Sequence, residues 1–570
     1  MPDFQNPQPE PGMERRLLLV FALTFLVIIA FQPLLKKFGP PPAPTPQPTQ
    51  PQVQPAPRSP TPMVSTPSVP SGVTRQAPIE SETVIDNDLY RITFTNRGAQ
   101  VKSWILKKFK NDEQNGPLEL VHAIAAQKYG YPLSLWTYDE SLRSKLNSVL
   151  YLSLHEGTQT APADITFEYS DRDLSVRKTF HFDHTYVLKL ETSVTYKGSP
   201  VAALPAWPSG FGDQNTPASY AAALIDYQFN NNIERLPIKK ISSGATINGP
   251  LHWAGPLNQY FAAIFIPDDP SAALVTVRNP IDNPQDAKHS NEVVGAAVGN
   301  LHGPTVARVF VGPKALDVLE SVQIPGITGT NPDLRGLVDF GWWGILARPL
   351  FLWLKWTYNH LVHNWGWAII LQTLIINITL LPLRIAQMKS MLKMQRVAPQ
   401  IKSIQEKYKK YSLRDPRKAA MNEEVAALYK KEGVNPAGGC LPMLIQFPFL
   451  IAYYRMLGVA LDLRHAHWLW IRDLSAPDPW RLLPIAVVLT MLIMQRMTPQ
   501  VGMDPAQQKM MNLMMPVMFG VFSLSFAAGL SLYYSVGNLI GIAQQYVINR
   551  TDLGREIREI MEKRARKKEK

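Results

Sequence analysis

Six apolar runs, at 17–35, 367–383, 441–461, 482–497, 514–530 and 531–548, constrain this chain more than any other feature. About 20 such residues are what a helix needs to cross ~30 Å of hydrocarbon. Lipid offers no partner to a free backbone amide, and a helix satisfies its amides internally. Several runs sit near the lower limit for spanning. Pro448, Pro484 and Pro516 interrupt three of them, which membrane helices tolerate where neighbours satisfy the freed groups. Only 46% of the 570 residues are hydrophobic, so the spans account for part of the chain and a polar domain for much of the rest. The single cysteine, Cys440, excludes an intrachain disulfide.

The first run follows Arg15 and Arg16 and precedes Lys36 and Lys37. It is too long for the core of a cleaved leader and reads as an anchor after a short N-terminus, 1–16. Residues 38–78 are rich in Pro, Gln, Thr and Ser, a composition that buries no core and reads as an extended spacer. From 79 to 330 the pattern alternates, as at 89–94, 174–182 and 186–196, with turn residues such as Asn96-Arg97-Gly98 between segments. That period of two predicts antiparallel strands and one large all-β sandwich. Residues 333–363 carry Trp342, Trp343, Trp353 and Trp356, which suits a helix lying at a membrane interface.

Lys and Arg orient the spans. Residues 384–431 hold 13 Lys/Arg against four Asp/Glu, and the tail from Arg550 holds nine against five. With six spans, the basic hairpin 384–434, the loop 498–513 and the tail 549–570 fall on one side, expected to be cytoplasmic with both termini. The β domain and the loop 462–481 fall outside. The hairpin reads as two helices around a turn near 414–416. The net charge of +13 points to anionic partners: phospholipid headgroups first, ribosomal RNA as the alternative.

No nucleotide, zinc or hydrolase motif is found, and no cofactor or metal site is read. His465 and His467 read as interfacial residues rather than ligands. The informative residues are polar groups inside the spans, expensive in lipid and expected to face a bundle interior or a wet cavity. Thr373, Asn377 and Arg384 recur at four and seven, on one helix face. Tyr534, Asn538, Gly541 and Gln545 repeat the logic on the last span, and Gln446 and Arg455 lie on the third. Interhelical hydrogen bonding is the plainer account of such a set. Met491, Met494, Met497, Met510, Met511, Met514, Met515 and Met518 supply adaptable apolar surface or simple packing.

Four separated stretches resemble the YidC family of membrane protein insertases. They are Asn435-Pro436-Ala437-Gly438-Gly439-Cys440-Leu441-Pro442 with its continuation to Pro448, Leu381-Pro382-Leu383 with Ala386-Gln387, Asp504-Pro505-Ala506-Gln507-Gln508-Lys509, and Gly529-Leu530-Ser531-Leu532-Tyr533-Tyr534. Trp470-Ile471-Arg472-Asp473-Leu474-Ser475 matches too. The resemblance implies a polytopic α-helical protein of the bacterial inner membrane, with a five-helix core around a hydrophilic groove. It also implies a periplasmic β-sandwich similar to galactose mutarotases, without their catalysis. The implied function is to insert nascent membrane proteins and help them fold, alone or with the Sec translocon; ribosome and targeting factors would meet the basic loop and tail. A small-solute transporter or channel is the rival, and a tethered carbohydrate enzyme a third reading. Tyr533 and Tyr534 match the family's sixth-span tyrosines, Leu450 is expected across from them, and Val487 is expected to face lipid. The family places a groove arginine four residues after a threonine. Here that threonine is Thr373 and the arginine's place is taken by Asn377. Arg384, two turns on, is the expected replacement, with Thr373, Asn377, Gln446 and Asn538 lining the groove; Arg455 is expected to reach the headgroups instead.

Overall fold

The computed structural model describes residues 74–212, 224–230, 232–281, 291–322, 333–408, 417–434, 441–497 and 505–552, with positions 411, 415, 555 and 559. The anchor 17–35, most of the spacer 38–78, the turn 435–440, the start of the loop 498–513 and most of the tail lie outside the described residues, as does the side chain of Gln446.

Alternation in the sequence becomes alternation in burial. Strand Leu174–Phe182 alternates buried and half-buried residues along its whole length, and Val187–Tyr196 does so for most of its own. Both belong to a ten-stranded sheet in the order Asn232–Pro237, Leu224–Phe229, Leu251–Leu257, Phe261–Pro267, Thr305–Pro313, Val187–Tyr196, Leu174–Phe182, Ala163–Ser170 and Leu152–Ser153, with Ser199–Pro200 pairing to Val187–Tyr196. Two five-stranded sheets accompany it, so the expected sandwich contains three sheets. Phe94 of one short sheet packs on Phe180 of the long one, ring centroids 4.9 Å apart. Its neighbour Trp104 meets Trp207 of the other short sheet at 5.8 Å. The run near 315–322 is the short helix Leu316–Ser321.

Lys178, fully buried, ties two turns together: its ammonium donates to the carbonyls of Gly98 (3.0 Å) and Ala99 (2.7 Å) in one and of Leu133 (2.8 Å) in the other. All three acceptors have positive φ. Burial pushes the ammonium down to about 7. Three acceptors require three N–H donors, and that holds the charged form in place.

The helical part comprises α1 (Gly344–His360), α2 (Trp365–Thr379), α3 (Leu381–Lys407), α4 (Arg417–Lys431), α5 (Leu441–Val459), α6 (Leu482–Met497), α7 (Pro505–Ser523) and α8 (Ala528–Arg550). The expected interfacial segment is α1 preceded by the turn Leu334–Leu337. Trp342, Ile345, Leu352 and Trp356 are exposed along it. Among the described residues no single helix is long and apolar enough to cross a membrane, while α2 and α3 together are, with a 49° bend between them. The run 367–383 is therefore divided. The break at Leu380 precedes Pro382, which sits in the first turn of α3 where its missing N–H costs nothing. The last two runs also shift, because α7 begins at Pro505 and the turn to α8 falls at Leu524–Ala527.

Helix α8 packs on α2 and α6, α7 on α6, and α1 on α5. Asn364 caps α2 through Trp367 N (3.2 Å), and Asp478 accepts from Leu483 N (2.8 Å) at the start of α6. The outer loop pins the start of α8: Ala528 N donates to Ala476 O (2.7 Å) and Gly529 N to Leu474 O (2.8 Å).

The β domain is keyed to the helices. Arg464, between α5 and α6, donates to Lys110 O (2.9 Å) and pairs with Asp112 (3.0 Å). Gln259 donates to Gly458 O (2.6 Å). Buried Asp226 lies 3.5 Å from Arg235, which reaches Asp339 (3.6 Å) and Gly336 O (2.8 Å) in the segment leading to α1.

Candidate functional site

Thr373 and Asn377 share one face of α2 as helix periodicity demands, and Arg384, beyond the break at Leu380, is linked to Asn377 through Gln544. Thr373 is buried, its hydroxyl donating to Ile369 O (2.6 Å) one turn back. Asn377 donates likewise to Thr373 O (2.8 Å). Gly537 of α8 faces both: a Cβ there would stand 3.8 Å from the Thr373 methyl and 3.9 Å from the Asn377 amide nitrogen. Arg384 lies just past the bend. Helix side chains lean toward the N-terminus, here back toward α2. Its guanidinium is half-buried and donates to Gln544 Oε1 (2.6 Å) and Met494 Sδ (3.6 Å). Gln544 in turn donates to Asn377 O (3.1 Å). One amide thus links the cation to the backbone of the residue at the family's arginine position. Among the described residues no carboxylate pairs with Arg384.

Asn538 is on the neighbouring face of α8 and bridges to α6 through Thr490 Oγ1 (3.1 Å). Gln545 is buried and donates to Asn549 (2.9 Å), away from Arg384. Arg455 is exposed, its guanidinium close to Gly341 before α1. That placement fits a side chain reaching for the interface.

The tyrosines occupy a second cluster. Tyr533 is buried and stacks on Tyr453, centroids 4.1 Å apart at 17°. Tyr534 is half-buried and packs edge-on against Phe519 of α7 at 4.7 Å. Leu450, half-buried, lies one turn before Tyr453 on α5. Tyr453 donates to Gln372 Oε1 (2.6 Å), and Gln372 donates to Leu350 O of α1 (3.0 Å). Val487 is fully buried, contrary to the expectation that it faces lipid. The exposed stripe of α6 is Leu482, Ile485, Leu489 and Ile493. From Leu482 to Leu489 every residue is apolar, so hydropathy alone does not tell the inner face from the outer there. Met514, Met515 and Met518 of α7 are exposed, as an adaptable surface requires.

The sequence reading missed Gln544 and Tyr453. On α8 the residues that meet α2 and Arg384 are Gly537, Gly541 and Gln544; Gly541 was on the face read from sequence, while Gly537 and Gln544 stand one residue before Asn538 and Gln545. The paired glycines four apart were its signal.

The family model described as YidC periplasmic domain matches residues 82–353, and that described as 60Kd inner membrane protein matches 356–555. A membrane protein insertase YidC from Syntrophus aciditrophicus (strain SB) is 32% identical over 578 residues, covering 94% of this chain and 100% of the relative. This chain belongs to the YidC family of membrane protein insertases. It is accordingly an inner-membrane insertase with a periplasmic β domain, and the transporter or channel alternative is not favoured. A YidC insertase crystal structure with the first transmembrane domain resolved is 19% identical, with TM-score 0.34, over 83% of this chain and 95% of its own. A galactose mutarotase-like protein from Lactobacillus casei is 11% identical, with TM-score 0.27, over 41% of this chain and 100% of its own.

Proposed function

We propose that this YidC chain receives the polar tail of a nascent membrane protein beside α2, α6 and α8, and that Arg384 supplies the charge that the family places at Asn377. The observation carrying this reading is the reach of the Arg384 guanidinium to Gln544, itself bonded to Asn377 O at 3.1 Å. A cation without a carboxylate partner in a place poor in water attracts an acidic tail strongly. Thr373, Asn377 and Asn538 offer polar positions beside the path, and Gln446 is a further candidate for it. The driving force is burial of the substrate's own apolar span of about 20 residues in lipid. Tyr534 and Leu450 receive that span as it leaves the groove.

In this reading the chain spans the membrane six times, with 17–35 as the first span and α2, α5, α6, α7 and α8 as the core. Both termini and the hairpin α3–α4 are cytoplasmic. Lys389, Lys393, Arg396, Lys402 and Lys407 make α3 strongly basic, which supports contact there with anionic phospholipid, the ribosome and targeting factors. The Sec translocon is the partner for larger substrates.

The test is insertion of matched short substrates by the purified chain in liposomes. Arg384→Ala should impair an acidic-tailed substrate more than a neutral one, and adding Asn377→Arg should restore it. Equal behaviour of Arg384→Ala and the parent, with selective loss in Arg455→Ala, would move the charge to Arg455.

A further inference from the structure

The bend between α2 and α3 creates two needs at one point. Carbonyls in the last turn of a helix have no partner within that helix, and Asn377 O is one of these. Arg384, in the first turn of α3, must bring a guanidinium into a half-buried site among apolar helices. Gln544 meets both with a single side chain, Nε2 donating to Asn377 O (3.1 Å) and Oε1 accepting from Arg384 Nη1 (2.6 Å).

Space is the second requirement. A Cβ on Gly541 would lie 2.9 Å from Arg384 Nη2, 3.0 Å from Nη1 and 2.2 Å from Met494 Cε. The Met494 methyl and the guanidinium together therefore occupy the volume that any larger residue at 541 would claim. Gly541 is buried and mid-helix with no positive φ, so the notch and not backbone freedom explains a glycine there. Its chain neighbour in the face, Gly537, stands at ordinary contact distance from Thr373 and Asn377.

We propose that Gln544 and Gly541 are the positioning residues of the groove cation: Gly541 opens the notch that admits the Arg384 guanidinium, and Gln544 fastens it beside Asn377 as an uncompensated charge, which selects substrates with acidic tails. This rests on the reading of Arg384 as the groove cation. A glutamine suits the task because its amide is neutral. It accepts from the guanidinium without cancelling the charge, whereas a carboxylate at 544 would bind more tightly and neutralise it.

That difference separates selection from simple structural support. The experiment reconstitutes the full chain in liposomes and inserts two short substrates with the same span, one with aspartates in its tail and one with asparagines. The readout is the acidic-to-neutral insertion ratio, measured in one vesicle preparation so that variation in the amount of folded chain cancels. Gln544→Met should lower the ratio about three- to tenfold, the range for losing one hydrogen bond of ordinary net strength. Gln544→Glu should lower it at least as far, despite keeping an acceptor for Arg384. Gly541→Ala should lower it as well, and Val547→Ala, exposed on the same helix, should not. In an Arg384→Ala background Gln544→Met should cause no further change. A purely structural role predicts instead that Gln544→Glu rescues what Gln544→Met loses, and that result would overturn the assignment. If Arg384→Ala lowers the ratio while the Gln544 and Gly541 variants match the parent, positioning fails and the groove cation stands. If Arg384→Ala leaves the ratio unchanged, both fall.

Discussion

Asp226 makes the periplasmic domain respond to pH in a direction that can be worked out in advance. The carboxyl is 1% exposed on strand Leu224–Phe229, and neither oxygen has a hydrogen-bond partner. Burial raises it from 3.8 to about 6, against the pull of Arg235 and Lys314 and with help from Asp339. A carboxyl raised on folding favours the folded state when protonated. Its cost is absent below the unfolded value, grows as pH rises through it, and is complete above about 6. The gap corresponds to roughly 3 kcal/mol at full ionisation, of which about 1.4 kcal/mol is recovered between about pH 7.5 and about pH 5. For a domain of this size that is a rise of ~3–6 °C in Tm.

Lys178 and two histidines oppose it, because burial lowers Lys178 to about 7 and also lowers His122 and His465, and such groups lose stability as pH falls. Lys314, pushed down to about 8, completes its change above this window. The assay is therefore a difference: Tm by β-sheet circular dichroism for the detergent-solubilised chain and for Asp226→Asn, across the window. Lys178 and the histidines cancel in the subtraction, and the parent should gain ~3–6 °C on acidification relative to the variant. A difference that is flat, or that falls, would refute the argument.

Two further outcomes follow from the tyrosine cluster. Photo-crosslinkers at Tyr534 and Leu450 should capture a nascent span more than probes at exposed Ile485 or Leu489, with buried Tyr533 below Tyr534; equal capture everywhere would mean contact through the lipid phase. Tyr453→Phe leaves the fully buried Gln372 Oε1 without its 2.6 Å donor, so thermal stability should fall by ~1–2 kcal/mol, and an unchanged Tm would mean that Gln372 finds another partner.

What the sequence allowed to be read depended on whether the deciding contact was local. Strand Leu174–Phe182 was legible because one half-buried face imposes a period of two. Phe261–Pro267 is buried on both faces and loses that signal, and the number of sheets depends on pairings between distant strands. The network of Asp226, Arg235 and Asp339 spans more than a hundred residues and leaves no local pattern. On α2 the polar stripe was legible because Thr373 and Asn377 stand among apolar residues. On α8 two adjacent glutamines compete, and only the neighbouring helices decide that Gln544 faces Arg384 while Gln545 turns to Asn549.

Moving the cation from 377 to 384 changes what holds it. An arginine at 377 would project from the last turn of α2, where the helix dipole favours positive charge. At 384 the cation starts beyond a 49° break, in the first turn of α3, where the helix dipole disfavours positive charge by ~0.3–1 kcal/mol. The charge therefore needs support from another element, and α8 provides it with one notch and one neutral amide. The same amide satisfies Asn377 O at the broken end of α2, so the proposed groove cation and the local geometry of the bend depend on one contact. Replacing Arg384 leaves Gln544 still bonded to Asn377, whereas replacing Gln544 frees both ends. A charge built this way is tied to the relative placement of α2, α3 and α8, and whatever shifts α8 against the bend moves the charge with it.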